Sequence, residues 1–237
     1  MTVKFACFVT GTDTGVGKTL VSAALLHALS QSGLRAVGMK PVAAGTVMID
    51  GVLVNEDTES LAAAGSLVVP RALTTPYLLD EAAAPHLAAQ MMGVTISSAH
   101  ILDCYRQLAD RAEAVVVEGV GGFCVPLAEG FDTADLAMQL ALPVVLVVGI
   151  RLGCLNHALL TVEAIRARGL TLTAWVANLL ETDMPHAAAN IATLTDALKA
   201  PLLGIVPRLA VPDAIHGAKY LDLSLLNPGP INASSSF

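Results

Sequence analysis

The sequence contains few aromatic and few charged residues. Phenylalanine, tryptophan and tyrosine make up 4% of the 237 residues and charged residues make up 14%, whereas apolar residues make up 54%. A disordered chain needs the opposite balance, so this composition excludes extensive disorder. A core built from alanine, valine, leucine and isoleucine is typical of a β-sheet that is buried on both faces beneath helices.

Basic residues are also scarce. The 13 lysines and arginines face 20 aspartates and glutamates, which gives a formal net charge of −7. Nucleic acids and anionic membranes attract basic surfaces, so we expect neither as the main partner.

Long hydrophobic runs are missing as well. The best candidate for a membrane span, residues 136–150, is interrupted by Gln139, Pro143 and Gly149. It falls short of the roughly 20 apolar residues that a spanning helix needs. The first residues have neither the long apolar region nor the cleavage site of a signal peptide. We therefore expect a cytoplasmic protein with no membrane partner.

Cysteine and histidine show no metal-binding pattern. The four cysteines, Cys7, Cys104, Cys124 and Cys154, lie far apart and form no C-x-x-C pair. We expect them to be reduced and mostly buried, because paired spacing is the usual signature of a redox or metal site. The six histidines are scattered, and we expect them to pack or to form hydrogen bonds.

Short β-branched runs alternate with longer segments rich in alanine and leucine. The runs predict strands at residues 3–10, 36–41, 114–118, 143–150, 172–178 and 202–206. The intervening segments predict helices at residues 17–31, 56–64, 97–111, 132–140, 155–167 and 187–198. This alternation predicts one doubly wound, mostly parallel α/β sheet with helices on both faces and ligands at the carboxyl ends of the strands.

Two segments depart from the alternation. Residues 65–96 mix prolines and a glycine with short apolar runs, which predicts loops, one strand near residues 73–78 and a short helix. Such an excursion could shape a substrate pocket. Residues 227–237 lack periodicity, so we expect a single domain over residues 1–226 and a disordered tail after it.

The most specific motif follows the first strand and reads Gly11-Thr-Asp-Thr-Gly-Val-Gly-Lys-Thr19. Its glycines free successive backbone N–H groups to face a triphosphate, and the next helix adds the positive end of its dipole. In such a loop Lys18 contacts the β- and γ-phosphates, and Thr19 offers its hydroxyl to Mg²⁺. The usual pattern has glycine at position 12, where this chain has Thr12, so the motif is a P-loop variant.

Three further charged residues are expected beside this loop. Lys40 follows the second strand and Glu118 ends the third, and a buried charge at either place needs an opposite charge or a ligand. We expect Lys40 to bind a transferring phosphoryl group or an anionic reactant, and Glu118 and Asp57 to bind Mg²⁺. From the residues alone, Lys40 could instead extend to solvent and Asp57 could only cap its helix.

These motifs resemble those of the dethiobiotin synthetases of biotin biosynthesis. The resemblance runs along nearly the whole chain, and its segments are residues 10–19, 40–42, 117–122, 152–161, 175–178 and 201–204. The third and fourth segments are the most specific, because a generic P-loop protein has no reason to carry them.

The resemblance implies a cyclo-ligase that forms C–N bonds with ATP and Mg²⁺. The diamine 7,8-diaminononanoate would take up CO₂ as a carbamate, ATP would phosphorylate it to a carbamic-phosphoric anhydride, and the second amine would close the ring of dethiobiotin. ADP and phosphate would be released. No covalent nucleophile on the protein is required.

The resemblance also implies roles for individual residues. Lys18, Lys40 and Thr14 would contact the reacting groups, and Thr19, Asp57 and Glu118 would bind Mg²⁺. Asn178 would recognise the adenine, with the loop after Val206 closing on the base. The residues expected to contact the nucleotide are Thr12, Asp13, Thr14, Gly15, Val16, Gly17, Lys18, Thr19, Asp57, Glu118, Gly119, Gly121, Asn178, Pro207, Arg208 and Leu209.

A second group of residues is implied for the substrate. Besides Lys40, free N–H groups at a helix start would hold the substrate carboxylate, and they would come from the neighbouring subunit of a homodimer. These residues are Gly153, Cys154, Leu155 and Asn156. From the residues alone, Asn156 could equally cap a helix that begins at His157, and Asn178 could simply end a strand.

Two positions depart from the family pattern, and two other functions remain open. Ala44 stands where members often have serine or threonine, and Gly15 stands where some carry an acid. A P-loop switch ATPase of the partitioning or cell-division type would share the fold, but Asp13 here replaces its extra lysine. A related amidoligase with another substrate would keep the nucleotide site.

Overall fold

The computed structural model describes residues 3–226, and the tail predicted at residues 227–237 lies outside the described residues. Its strands are β1 (Phe5–Gly11), β2 (Ala36–Met39), β3 (Val42–Ala44), β4 (Val47–Ile49), β5 (Val52–Val54), β6 (Tyr77–Leu79), β7 (Ala114–Glu118), β8 (Pro126–Ala128), β9 (Phe131–Asp132), β10 (Val144–Ile150), β11 (Leu172–Leu179) and β12 (Leu202–Val206). Its helices are α1 (Lys18–Gln31), α2 (Glu56–Ala64), α3 (Arg71–Thr74), α4 (Pro85–Met91), α5 (Ser98–Ala109), α6 (Thr133–Leu140), α7 (Cys154–Ala167), α8 (Ala187–Leu198) and α9 (Ala214–Ala218), with a 3₁₀ turn at Leu223–Leu225.

Six of the strands form a central sheet. Their order is β12-β11-β10-β1-β7-β2, and every neighbouring pair is parallel. The strand order reverses beside β1, so crossover helices cover both faces of the sheet. The predicted doubly wound α/β fold is therefore confirmed.

Strand β10 shows how the sheet forms two layers of core. Its seven residues are all buried. Val145 and Val147 pack with residues of α1 on one face, and Leu146 and Val148 pack with residues of α7 and α8 on the other. A strand enclosed on both faces has no place for polar side chains, which explains its continuous valine-rich run.

The structure corrects one secondary-structure prediction. A strand was predicted near residues 73–78, but Leu73 and Thr74 lie in α3, and β6 begins only at Tyr77. Pro70 stands at the N-terminal cap of α3, and the Thr75 N–H closes the helical turn on the Arg71 carbonyl. Pro76 has no N–H to continue a helix, so the chain becomes extended after it.

The prediction also missed a hairpin and a short helix. Strands β4 and β5 pair antiparallel around Asp50 and Gly51, whose φ angles are 50° and 78°. An Asp-Gly pair between apolar runs is the usual signal of a two-residue hairpin turn, so the sequence did contain it. Helix α9 packs against α1.

The described residues give the burial of the cysteines and the lengths of the helices. Three of the four free cysteines are buried, as expected, and Cys124 is exposed. No helix among residues 3–226 is long and apolar enough to cross a membrane.

We predict that Val145→Ala lowers the free energy of unfolding by about 2 kcal/mol, because it removes buried methyl groups and leaves a cavity. The matched control is Val68→Ala, because Val68 is 97% exposed whereas Val145 is fully buried. Urea unfolding can be followed by the fluorescence of Trp175, the single tryptophan of the chain. Equal losses in the two variants would contradict this description of the core.

Candidate active site

The carboxyl ends of neighbouring strands bring the predicted residues together. β1 leads into the glycine-rich loop, β7 beside it ends at Glu118, and Lys40 directly follows β2 at the edge of the sheet. Because these strands are parallel, their carboxyl ends lie on the same side of the sheet. Lys40 and Glu118 are thereby placed next to the loop, although 78 positions separate them in sequence.

The glycine-rich loop depends on backbone conformations that favour glycine. Gly15 and Gly17 have φ angles of 74° and 89°, in the left-handed region. A Cβ on Gly17 would lie 2.2 Å from Nδ2 of Asn178, so no side chain fits there. That same Nδ2 donates a hydrogen bond of 2.9 Å to the Val16 carbonyl. Asn178 therefore supports the loop from β11 and does more than end a strand.

Lys18 lies buried in the loop. Its Nζ donates a hydrogen bond of 2.9 Å to the Asp13 carbonyl. Burial lowers the pKa of Lys18 to about 8, and the positive charge of Lys40 contributes to the shift, while Glu118 partly opposes it. Burial therefore makes the charged form of Lys18 less favourable, and an anion bound in the loop would stabilise that charge.

Lys40 forms the centre of a buried ion cluster. Its Nζ lies 2.8 Å from Asp57 Oδ2 and 2.5 Å from Glu118 Oε1, and it donates to the Gly119 carbonyl at 3.3 Å. The side chains of Lys40 and Glu118 are only 3% and 0% exposed, which excludes a lysine that merely extends to solvent. Burial is the largest single influence and lowers the pKa of Lys40, but the charges of Glu118 and Asp57 and their hydrogen bonds to Nζ together raise it.

The same carboxylates converge on Thr19. Its hydroxyl lies 2.6 Å from Asp57 Oδ1 and 2.9 Å from Glu118 Oε1, and its single proton can be donated to only one of them at a time. The other oxygen of Glu118, Oε2, is buried and has no hydrogen-bond partner among the described residues. A buried, unpartnered carboxylate oxygen is a site for a cation.

These oxygen ligands fit Mg²⁺. Magnesium prefers carboxylate and hydroxyl oxygens and commonly shares them with substrate phosphates. Across residues 3–226, no three His, Cys, Asp or Glu side chains form a metal-binding cluster by themselves. The arrangement therefore suits a metal that arrives with a nucleotide.

Asp57 is not the cap of its helix. Asn55 is the N-terminal cap of α2, because its side chain accepts a hydrogen bond from the Thr58 N–H. Asp57 lies in the first turn, where its carboxylate reaches Thr19 and Lys40. Burial is the largest single influence and raises the pKa of Asp57, but the charge of Lys40 and the hydrogen bonds from Lys40 and Thr19 together lower the pKa below its ordinary value.

Arg151 was not identified from the sequence as a site residue. It follows β10, and its guanidinium Nη2 lies 2.5 Å from Asp13 Oδ2. The other oxygen of Asp13 accepts the Thr14 N–H at 2.7 Å, and this hydrogen bond contributes most to the lowered pKa of Asp13. A cation directly after a fully buried strand was the signal that could have marked Arg151 as a site residue.

The start of α7 corrects one open alternative. The helix begins at Cys154, and Gly153, with a φ of 92°, is its N-terminal cap. Asn156 therefore lies in the first turn and does not cap a helix starting at His157. The Cys154 N–H donates to the Arg151 carbonyl at 3.0 Å, and no side chain caps the terminus. Backbone donors of a helix start are of the kind that bind carboxylates.

Strand pairing and short distances show where several other predicted site residues lie. Asn178 pairs in register with Val206 on β12, so the loop of Pro207, Arg208 and Leu209 leaves the sheet beside Asn178. Gly121 has a φ of 65°, and a Cβ added to it would lie 3.6 Å from the Thr14 hydroxyl. Their expected contacts with a nucleotide stay predictions, as do those of Thr12 and the other loop residues.

The parallel sheet, the glycine-rich loop and its buried lysine define a P-loop nucleotide-binding protein. The septum site-determining protein MinD complexed with Mg-ADP, from Pyrococcus horikoshii, has a similar fold, with a TM-score of 0.52 and 17% identity over 92% of this chain and 94% of that one. A ParA family ATPase from Chlorobium tepidum is also similar, with a TM-score of 0.56 and 13% identity over 88% and 86% of the two chains. At these identities the likeness shows the fold alone.

Sequence relatives define the family. A family model described as an AAA domain matches residues 6–214. The ATP-dependent dethiobiotin synthetase BioD of Janthinobacterium sp. (strain Marseille) is 58% identical over 234 residues, which are 97% of this chain and 99% of that protein. The protein of the same name from Ralstonia nicotianae is 55% identical over 226 residues, or 95% and 99%. The chain belongs to the dethiobiotin synthetase family of ligases.

We predict that the Lys18 ammonium of the nucleotide-free protein titrates near pH 8. Because protonation carries the charge, the affinity for a nucleoside triphosphate should fall as the pH rises through this value. NMR of ¹³C-labelled lysine side chains measures the midpoint, and the signal missing from a Lys18→Arg variant identifies Lys18. A midpoint near the ordinary lysine value of 10.5 would contradict the burial of its ammonium group.

Proposed function

We propose that this protein converts 7,8-diaminononanoate and CO₂ into dethiobiotin while ATP is converted to ADP and phosphate. The observation that carries the proposal is the convergence of Lys18, Lys40 and two carboxylates at the P-loop of this family member. The proposed chemistry needs positive charge at that place and no nucleophile from the protein.

The first chemical step brings two anions together. A carbamate oxygen attacks the γ-phosphorus of ATP, the bond to the β-phosphate oxygen breaks, and a carbamic-phosphoric anhydride and ADP result. Repulsion between the carbamate and the triphosphate opposes this attack, and fixed positive charges in a buried site lower that barrier. We propose that Lys18 acts on the phosphates and that Lys40 and Thr14 contact the transferring group.

The second step closes the ring. The free amine attacks the carbonyl carbon of the anhydride, and the bond between that carbon and the oxygen of the phosphoryl group breaks. Phosphate leaves with the former carbamate oxygen and can accept the proton that the amine loses. Lys40 is suited to stabilise the departing phosphate, because its charge is maintained by a raised pKa.

Magnesium fits the proposed site. Thr19, Asp57 and Glu118 would hold the ion, which would supply positive charge at the β- and γ-phosphates. Lys40 now balances the charges of Asp57 and Glu118. When Lys40 contacts a phosphoryl group, we expect it to weaken its bond to at least one of these carboxylates.

The start of α7 suits a substrate site shared between two subunits. Leu152 precedes this helix, and Leu159 and Leu160 lie in it. Their exposed fractions are 95%, 45% and 56%. Exposed leucines in one region indicate a contact with another molecule. We propose a homodimer in which Gly153, Cys154, Leu155 and Asn156 of one subunit bind the carboxylate of the substrate held by the other.

Domain extent and location belong to the same proposal. We propose that residues 1–226 make up one synthetase domain that works in the cytoplasm. The unpaired cysteines and the acidic net charge of −7 are consistent with a reducing compartment and with small-molecule partners.

We predict that 7,8-diaminononanoate with bicarbonate accelerates phosphate release from Mg-ATP by the purified protein. Either compound alone should have little effect, because the phosphoryl acceptor is their carbamate. A coupled phosphate assay measures the rate. Full hydrolysis without the diamine would favour the switch ATPase, and acceleration only by another amine would favour an amidoligase whose specificity Ala44 has altered.

We predict that Lys40→Ala lowers the turnover rate by at least about 100-fold, the loss of roughly 2.7 kcal/mol of transition-state stabilisation. Lys219→Ala is the matched control, because Lys219 is exposed and distant from the cluster in sequence. Lys40→Ala removes the ion-pair partner of the buried Glu118, so circular dichroism must show that this variant remains folded at the assay temperature. Near-normal turnover in the folded variant would remove Lys40 from the mechanism.

A further inference from the structure

A cavity of about 200 Å³ lies at the outer edge of the sheet, away from the P-loop. β2 is the edge strand, and the cavity is enclosed by α2, by α3 and by the segment that joins them. Leu61, Leu67 and Val69 contribute apolar walls, and Glu59 and Arg71 contribute charged groups. A cavity of roughly 150 Å³ already holds benzene, so this one has room for a small organic molecule.

One residue of β2 offers unused backbone groups to this cavity. Alternate residues of a strand direct their N–H and C=O to opposite sides. The Arg35 carbonyl accepts from the Glu113 and Ala114 N–H groups at the start of β7, so Val37 and Met39 also face β7. On the outer edge, Ala36 bonds to Ser66 and Leu67, and the Lys40 N–H donates to the Thr74 carbonyl at 2.8 Å.

Gly38 lies between these occupied positions. It is buried and lines the cavity, and nothing in residues 3–226 forms a hydrogen bond with its outward N–H and C=O. Buried backbone groups are nearly always paired with protein, with ordered water or with a ligand, so the free donor and acceptor of Gly38 mark a position at which a polar molecule can bind. The Thr75 hydroxyl lines the same cavity and also has no hydrogen-bond partner in the described part of the chain.

The geometry selects a chemical class. The N–H and C=O of one strand residue point in the same direction, so their best partner presents a C=O and an N–H side by side. A cyclic amide or a cyclic urea has this arrangement, because its ring holds the amide in the cis form. The apolar walls favour a ligand with a hydrophobic ring.

We propose that the cavity at the outer edge of β2 binds a small cyclic amide or urea, which pairs with both backbone groups of Gly38. This site is separate from the proposed active site. Lys40 lines the cavity, but its Nζ contacts Asp57 and Glu118, neither of which lines the cavity. Its assignment does not depend on the proposed reaction.

The test uses oxindole, a bicyclic lactam with an adjacent N–H and C=O, and ¹⁵N-labelled protein with saturating Mg-ADP in the nucleotide site. Oxindole should shift the Gly38 amide proton downfield in a saturable manner, with a Kd on the order of 1 mM for a ligand of this size. N-methyloxindole has the same ring but no N–H donor, and it should bind at least about ten-fold more weakly.

Two variants provide the matched comparison. Ala62 and Ala63 are exposed neighbours on α2, but only Ala62 lines the cavity. Ala62→Phe should fill the cavity and weaken oxindole binding at least about ten-fold, whereas Ala63→Phe should leave it within about two-fold. Gly38 itself cannot be changed, because a Cβ there would lie 2.8 Å from Leu26 Cδ1 and 2.9 Å from Leu61 Cβ.

Three results would overturn the proposal. The first is an unmoved Gly38 amide at saturating oxindole, and the second is equal binding of oxindole and N-methyloxindole. The third is equal behaviour of Ala62→Phe and Ala63→Phe when both spectra keep their native dispersion. Shifts confined to the P-loop amides would mean that oxindole binds in the nucleotide site and not at Gly38, and would also overturn the proposal.

Discussion

The arrangement of the active site depends on the buried ion pair between Lys40 and Glu118. Removing two charges from water is costly, and their attraction repays that cost only with good geometry and further hydrogen bonds. Here Asp57, Thr19 and the Gly119 carbonyl supply those bonds. The pair joins the ends of β2 and β7, so the order of the strands and the charge of the site are coupled.

The buried charges of this protein are concentrated in this cluster. Charged residues make up 14% of the chain. Within residues 3–226, the two buried lysines, Lys18 and Lys40, and the one buried carboxylate, Glu118, all belong to this region. Glu118 still has one oxygen without a partner among residues 3–226. The cluster is therefore balanced without a ligand but not saturated, which suits a site that receives a metal and phosphates together.

Sequence patterns predicted the elements whose physical signals are local. The valine-rich runs, the glycine-rich loop and the lysine or glutamate at a strand end each mark a buried environment within a few residues, and the central sheet followed from them. The contact between Arg151 and Asp13 could not be predicted in this way, because the two residues lie 138 positions apart. The exact starts of α7 and β6 also required backbone geometry at Gly153 and Pro76. The unpaired N–H and C=O of Gly38 could not be predicted either, because only the assembled fold shows that β2 is an edge strand.

The proposed reaction makes one specific claim about atoms, namely that a carbamate oxygen attacks the γ-phosphorus and departs with the phosphate. The most direct test supplies ¹⁸O-labelled bicarbonate with 7,8-diaminononanoate and Mg-ATP, and analyses the released phosphate by mass spectrometry before the label exchanges with water. If the carbamate oxygen attacks, each phosphate formed with dethiobiotin carries one ¹⁸O. Unlabelled phosphate from labelled carbamate would show that water attacks ATP and would rule out attack by the carbamate.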